Sequence, residues 1–185
     1  EADYGEGGFG GFPELPERNK PVICAVNGLA VGGGFEIAMA ADLVVAADHA
    51  AFFLPETGLG IIPDAGAIRL PRILPRVVAN EVLYAGRRLA ADEALRWGLV
   101  NAVVPADRLM DEARALAGRI VASAPLAVEA VMAVDRETSA RTLDEAFVHL
   151  RSGRLDAYER MLASEDADEG PRAFTEKRDP HWQGR

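Results

Sequence analysis

The chain has 185 residues, 49% of them hydrophobic, enough to build the core of one domain. Its formal net charge is −9, which argues against a nucleic-acid-binding face. No apolar stretch is long enough to span a bilayer, because Asp42 and Asp48 interrupt the longest one, and a lone cysteine, Cys24, excludes an internal disulfide framework. The lone cysteine also fits a reducing, cytoplasmic setting, and its place in an apolar strand pattern predicts inert burial. Glu1 stands where a methionine would open a chain, and no signal peptide is legible, so the expectation is a start inside a longer protein.

Residues 1–20 are rich in Gly and Pro, with Tyr4-Gly5-Glu6-Gly7-Gly8-Phe9-Gly10-Gly11-Phe12, and read as a mobile loop. No Lys-Ser/Thr follows the glycines, so a phosphate cradle is not expected. Strand patterns fall at 22–26, 43–46 and 51–53, and a helix begins near Gly34. Residues 58–63 read as a turn. Helices are predicted over 65–74, 77–85 and 91–97, the last stopped by Gly98. The near-continuous apolar run 99–104 suits a buried parallel strand. From Asp107 onward the pattern is helical: Leu109, Ala113, Leu116, Ile120 and Val121 mark one face, Pro125 opens the next helix, and 142–162 reads as a third. Strands interleaved with helices, then helices alone, predict an α/β fold with a core over 1–105 and a helical region over 106–185.

Two carboxylates stand out from this frame. Glu36 follows the triple glycine of Asn27-Gly28-Leu29-Ala30-Val31-Gly32-Gly33-Gly34-Phe35-Glu36, between a strand and a helix N-terminus. Exposed N–H groups there favour negative charge, and would stabilise an oxyanion developing on a substrate carbonyl. Glu56 lies in Pro55-Glu56-Thr57-Gly58, where Pro55 and Gly58 define a turn. The bland alternatives are a first-turn helix acid for Glu36 and an exposed loop acid for Glu56. A dinucleotide-binding loop is disfavoured, since Gly32-Gly33-Gly34 lacks the Gly-x-Gly-x-x-Gly spacing.

The segment from Lys20-Pro21-Val22 through Glu36 resembles the crotonase (enoyl-CoA hydratase/isomerase) family. The resemblance continues through Ala51-Phe52-Phe53-Leu54-Pro55-Glu56, Gly58-Leu59-Gly60-Ile61-Ile62-Pro63, Tyr84-Ala85-Gly86-Arg87-Arg88 and Trp97-Gly98-Leu99-Val100-Asn101, in the family's order. It implies a spiral of ββα units with a C-terminal helical trimerisation region, the N-terminal part of the fold being absent from this chain. It also implies an enzyme that adds or removes water across the α,β double bond of a short-chain acyl-CoA thioester. Glu36 and Glu56 would be the catalytic acid and base, and Gly33 would supply one of two oxyanion-hole N–H groups, the other lying upstream of Glu1. No metal or redox cofactor is expected, coenzyme A being part of the substrate. The expected partners are the acyl-CoA and further copies of the chain, as a homotrimer or a hexamer made of two trimers, with no nucleic acid and no membrane.

Segments such as Glu93-Ala94-Leu95-Arg96-Trp97-Gly98, Ser164-Glu165-Asp166-Ala167 and Glu176-Lys177-Arg178-Asp179-Pro180 resemble a branch of the family whose four-carbon acyl group ends in trimethylammonium. Tyr4, Phe9 and Phe12, with Asp3 and Glu6, would then form a lid over that cation. A general enoyl-CoA hydratase, an enoyl-CoA isomerase and a non-catalytic scaffold stay open beside this reading. Asp64, where many relatives carry glycine, is read either as the cap of the following helix or as a residue of the acyl pocket. His49, His149 and His181 lack metal spacing and read as structural or surface residues. Trp97 reads as packing, and Arg87 and Arg88 as a solvated face, with contact to phosphate groups as the alternative.

Overall fold

The chain changes sheet between β1 (Ile23–Val26) and β2 (Leu29–Val31), across only Asn27-Gly28. The computed structural model describes residues 4–15 and 17–185. After β2 comes α1 (Gly33–Ala40), then β3 (Leu43–Ala47), β4 (Ala51–Phe53) and α2 (Asp64–Ile73). β3 lies parallel to β1 with Ile23 opposite Leu43, and β4 lies parallel to β2 with Leu29 opposite Ala51. Each strand–strand–helix unit therefore stacks on the one before it, which is the expected ββα spiral. α3 (Arg76–Ala85), β5 (Leu89–Ala90) and α4 (Ala91–Arg96) follow, with β5 antiparallel to β4. β6 (Ala102–Val104) closes the first sheet beside β3.

Phe35 and Phe52 are both fully buried, with ring centroids 5.3 Å apart, and tie α1 to β4. Leu54, Leu70 and Leu89 extend the same core. Each such side chain contributes about 1.5–3 kcal/mol on burial. Cys24 packs against this core, and burial pushes its thiol pKa up, in keeping with the inert reading.

Short elements account for the main departures from the sequence reading. β2 and β5 escape it because segments of two or three residues carry no period. β6 is shorter than the apolar run 99–104: the Asn101 side chain accepts from Val44 N–H at 2.7 Å and its own N–H donates to Val44 O at 2.7 Å, so the chain bends there. The glycine-rich opening is ordered by a 3-10 turn at Phe9–Gly11 and by hydrogen bonds from Gly8 to Gly5 and Glu14 to Gly7.

The chain divides into two compact units, Glu1–Leu116 and Ala117–Arg185, within α5 (Leu109–Val121). In the second unit α6 (Pro125–Thr138) is joined to α8 (Asp156–Leu162) by an Arg160–Glu129 ion pair of 2.7 Å. The run 142–162 is not one helix. α7 (Leu143–Leu150) starts with a Thr142–Glu145 capping box, and Gly153, at φ 70°, separates it from α8. α9 (Glu165–Glu176), capped by Ser164, was missed altogether because Pro171 and a run of acids mask its period. It holds the tail. Asp166 accepts from Gln183 and Gly184 N–H, and Glu169 binds Arg172 and Arg178 while accepting from His181 N–H. Those partners, Arg178 first, hold the Glu169 carboxyl well below the usual range. Among the described residues no single helix is long and apolar enough to cross a membrane.

Candidate active site

Gly32 opens α1 with φ 53°, a left-handed value that favours glycine, and its carbonyl accepts from both Phe35 and Glu36 N–H. That turn leaves the N–H groups of Gly33 and Gly34 in the first turn, before any intrahelical acceptor can reach them. Phe35 faces the core, and the next side chain, Glu36, points to the other side. Glu36 is 6% exposed, and its Oε1 accepts from Gly66 N–H at 2.8 Å.

Gly66 is a positioning residue that sequence reasoning overlooked. A Cβ there would fall 2.9 Å from Leu54 Cδ1 and 3.0 Å from Pro63 Cβ, so only glycine brings this N–H so close to Glu36. The signal was available: a glycine inside the first turn of a predicted helix, in Pro63-Asp64-Ala65-Gly66.

Glu56 begins a 3-10 turn, Glu56–Leu59, directly after fully buried Leu54. Hydrogen bonds on both sides hold that turn. Gly58 N–H donates to Pro55 O, Ile61 N–H donates to Glu56 O, and the Thr57 hydroxyl donates to Leu83 O on α3 at 3.0 Å. Glu56 Oε1 leans on Gly32 so closely that a Cβ there would lie 2.5 Å away. Its other oxygen, Oε2, is buried without a hydrogen-bond partner among the described residues. Burial raises the Glu56 pKa above the ordinary glutamate value; its own backbone N–H works against this, and the nearby Glu36 charge adds to it.

Gly33, Glu36, Glu56 and Asp64 all line one cavity of about 700 Å³, together with Tyr4, Phe9 and Glu14. The Phe9 ring packs on Gly33, where a Cβ would come within 2.0 Å of it, so the glycine-rich opening forms a wall of this cavity. Tyr4 meets Phe9 edge to face at 5.6 Å. Asp64 is the first residue of α2 and makes no side-chain cap bond, Pro63 being the N-cap; its place is in the lining of the cavity. Phe12 stacks instead under Arg18, and Asp3 lies outside the described residues.

Arg88 is exposed, as a solvated face would have it, but Arg87 is half-buried and paired. Arg87 forks onto Glu93 at 2.7 and 2.8 Å and pairs with Glu81, and Arg88 lies over the Phe53 ring at 4.5 Å. The Arg87 fork, with a Trp97 indole N–H bond, holds Glu93 down to about 2. His49 contacts Asn27 O and Asp48, and His149 contacts Glu137, so both serve the scaffold.

Two like charges beside free helix N–H groups can do one kind of work well. One carboxyl takes a proton while the other gives one, and the N–H groups hold the negative charge that appears between those steps. The Enoyl-CoA hydratase/isomerase family profile matches residues 1–185. The chain is 55% identical over 185 residues to a carnitinyl-CoA dehydratase of Salmonella arizonae, covering all of this chain and 71% of that protein. It is 56% identical over 186 residues to the carnitinyl-CoA dehydratase of Escherichia coli strain K12, with the same coverage. Among solved structures, an enoyl-CoA hydratase from Mycobacterium tuberculosis H37Rv superposes with a TM-score of 0.86 at 39% identity, covering 95% of this chain and 68% of that one. One from Bacillus anthracis gives 0.83 at 38%, covering 94% and 65%. The spiral fold, the cavity and these matches together establish that the chain belongs to the enoyl-CoA hydratase/isomerase family.

Proposed function

We propose that this enzyme interconverts carnitinyl-CoA and crotonobetainyl-CoA by removing and adding water, with Glu36 and Glu56 as its acid–base pair and Gly33 as an oxyanion donor. The observation that carries this reading is the pair of carboxylates facing one cavity beside the Gly33 N–H, in a chain more than half identical to carnitinyl-CoA dehydratases. The solved hydratases favour a second reading, a general short-chain enoyl-CoA hydratase, which would use the same machinery.

In hydration, Glu36 takes a proton from water as its oxygen bonds to Cβ. Electrons move to the thioester oxygen, opposite the Gly33 N–H, and Glu56 delivers a proton to Cα. Dehydration runs the same steps backwards: Glu56 takes the α-proton, and Glu36 protonates the departing hydroxyl. This assignment follows the environments. Glu36 has an N–H donor on one oxygen, whereas Glu56 keeps an oxygen buried without a donor and a raised pKa, which suits the proton-holding partner. Because backbone N–H groups carry the enolate charge, the reaction calls for no cofactor beyond the coenzyme A of its substrate. A cytoplasmic location accords with the single Cys24 thiol.

We further infer a trimer or a dimer of trimers. Leu143, Val148 and Phe174 in the second unit are 79%, 73% and 87% exposed, more apolar surface than a small helical unit leaves in water. Light scattering at micromolar concentration should report three or six chains; a monomer would contradict this.

Glu36→Gln and Glu56→Gln should each lower kcat at least ~10²-fold with little change in CoA-ester binding. A near-normal kcat in either variant would remove that residue from the mechanism. The two variants should differ in stability. The raised folded-state pKa of Glu56 means that the stability it contributes is present below its unfolded value and lost as pH rises through the folded one. Glu56→Gln escapes that loss, so at pH 7 its Tm should exceed the parent's, and the gain should vanish in acid.

Gly32→Ala tests the packing that seats Glu56. The added methyl meets Glu56 Oε1 and sits at a left-handed φ, so kcat should fall by about 10²-fold through displacement of the carboxyl. An alanine variant with unchanged kcat would show that Glu56 does not depend on this contact.

A further inference from the structure

We propose that Tyr4, Phe9, Glu14 and Asp64 form a subsite that selects acyl groups ending in a permanent cation. The proposal rests on the substrate reading above and assigns to named residues a choice that the acid–base pair does not make.

The charge of the cavity comes first. Among the described residues four carboxylates line it, Glu14, Glu36, Glu56 and Asp64, and no Lys or Arg does. Water addition needs two of them. Glu14 and Asp64 have no place in the proton transfers, and for a neutral acyl chain they add only polar surface to be desolvated. For a cation they add attraction, although both side chains are exposed at the cavity mouth and salt screens them. Arg69 senses the Glu14 charge, but it is anchored on the Pro13 carbonyl and stands outside the lining. Asp64 is not consumed as a helix cap.

Next comes the shape of the opening segment. Glu14 is folded back over Gly8, whose Cβ would lie 2.5 Å from Glu14 Oε1, and Gly8 adopts φ 69°. Gly7 accepts the Glu14 N–H at 3.0 Å and itself packs on Gly11, where a Cβ would come within 2.5 Å of the backbone. The glycines therefore serve a defined geometry. They bring the Glu14 carboxylate to the same cavity as Tyr4 and Phe9. These two rings are half exposed, at 54% and 46%, although they pack on each other edge to face, an arrangement that leaves ring surface available to a ligand.

A quaternary ammonium has no N–H to donate. Ring faces and carboxylates at a distance are the groups that recognise it, and both are present here. Phe9 also touches Gly33, so the ring surface begins beside the N–H assigned to the thioester oxygen and continues toward Tyr4. A short acyl chain held at Gly33 would reach this surface with its far end.

The test separates charge from size. Crotonobetainyl-CoA is compared with 5,5-dimethylhex-2-enoyl-CoA, its neutral isostere in which carbon replaces the quaternary nitrogen. The parent enzyme should favour the cationic substrate about tenfold or more in kcat/KM. In Glu14→Gln, Asp64→Asn and Phe9→Leu that ratio should fall about threefold or more, and raising ionic strength should erode it in the parent more than in the two carboxamide variants. Because a ratio is read within each variant, a general loss of activity does not mimic the effect. A high parent ratio that survives in both Glu14→Gln and Asp64→Asn overturns the subsite and leaves the substrate reading standing. A parent ratio near one overturns the substrate reading itself.

Discussion

Two carboxyl groups facing one small cavity repel each other when both are ionised, and the architecture from Gly32 to Gly66 is arranged to keep them there. Glu36 is held by the Gly66 N–H, and Glu56 is wedged against Gly32 with one oxygen left without a partner. Such an arrangement suits the opposed proton transfers proposed for the pair. The glycines follow from this constraint. At 32 a methyl group would fall on the Glu56 carboxylate, and at 66 it would press on Leu54 and Pro63.

The spiral makes the arrangement possible. One ββα unit contributes Gly32, Gly33 and Glu36, and the next contributes Glu56, Asp64 and Gly66. Because β2 and β4 are parallel neighbours, with Val31 opposite Phe53, the chain leaves both strands at the same edge and in the same direction. Residues just beyond each strand end up side by side. The Gly32 N–H bond to Phe53 O fastens the two exits together. The core beneath, Phe35 against Phe52, then fixes which side of α1 turns toward the cavity.

How much of this could be read from the sequence depended on whether the determining contact was local. Glu36 was legible because a strand, glycines and a helix start are consecutive, and Glu56 because proline and glycine bracket it. Gly66 was legible only as a glycine in a predicted first helical turn; its bond to a residue thirty positions away was not. Glu14 was missed for the same reason: its carboxylate matters only once the glycines fold it back over Gly8. In the second unit, Gly153 breaks a helical period that residues 142–162 would otherwise sustain, and α9 owes its place to Asp166 and Glu169 gripping the tail. Periodicity sees faces, not these long-range bonds.

The central claim is that Glu56 is the carboxyl that holds the proton, because of its burial and because Glu36 stands beside it. Carbon-13 NMR of the glutamate side-chain carboxyls across pH, with the Glu56 signal assigned by its absence in Glu56→Gln, measures this directly. The account predicts a midpoint for Glu56 above the ordinary glutamate value of about 4.3, falling when Glu36 is replaced by Gln. A Glu56 midpoint at or below that value, or one indifferent to the charge at Glu36, would contradict it.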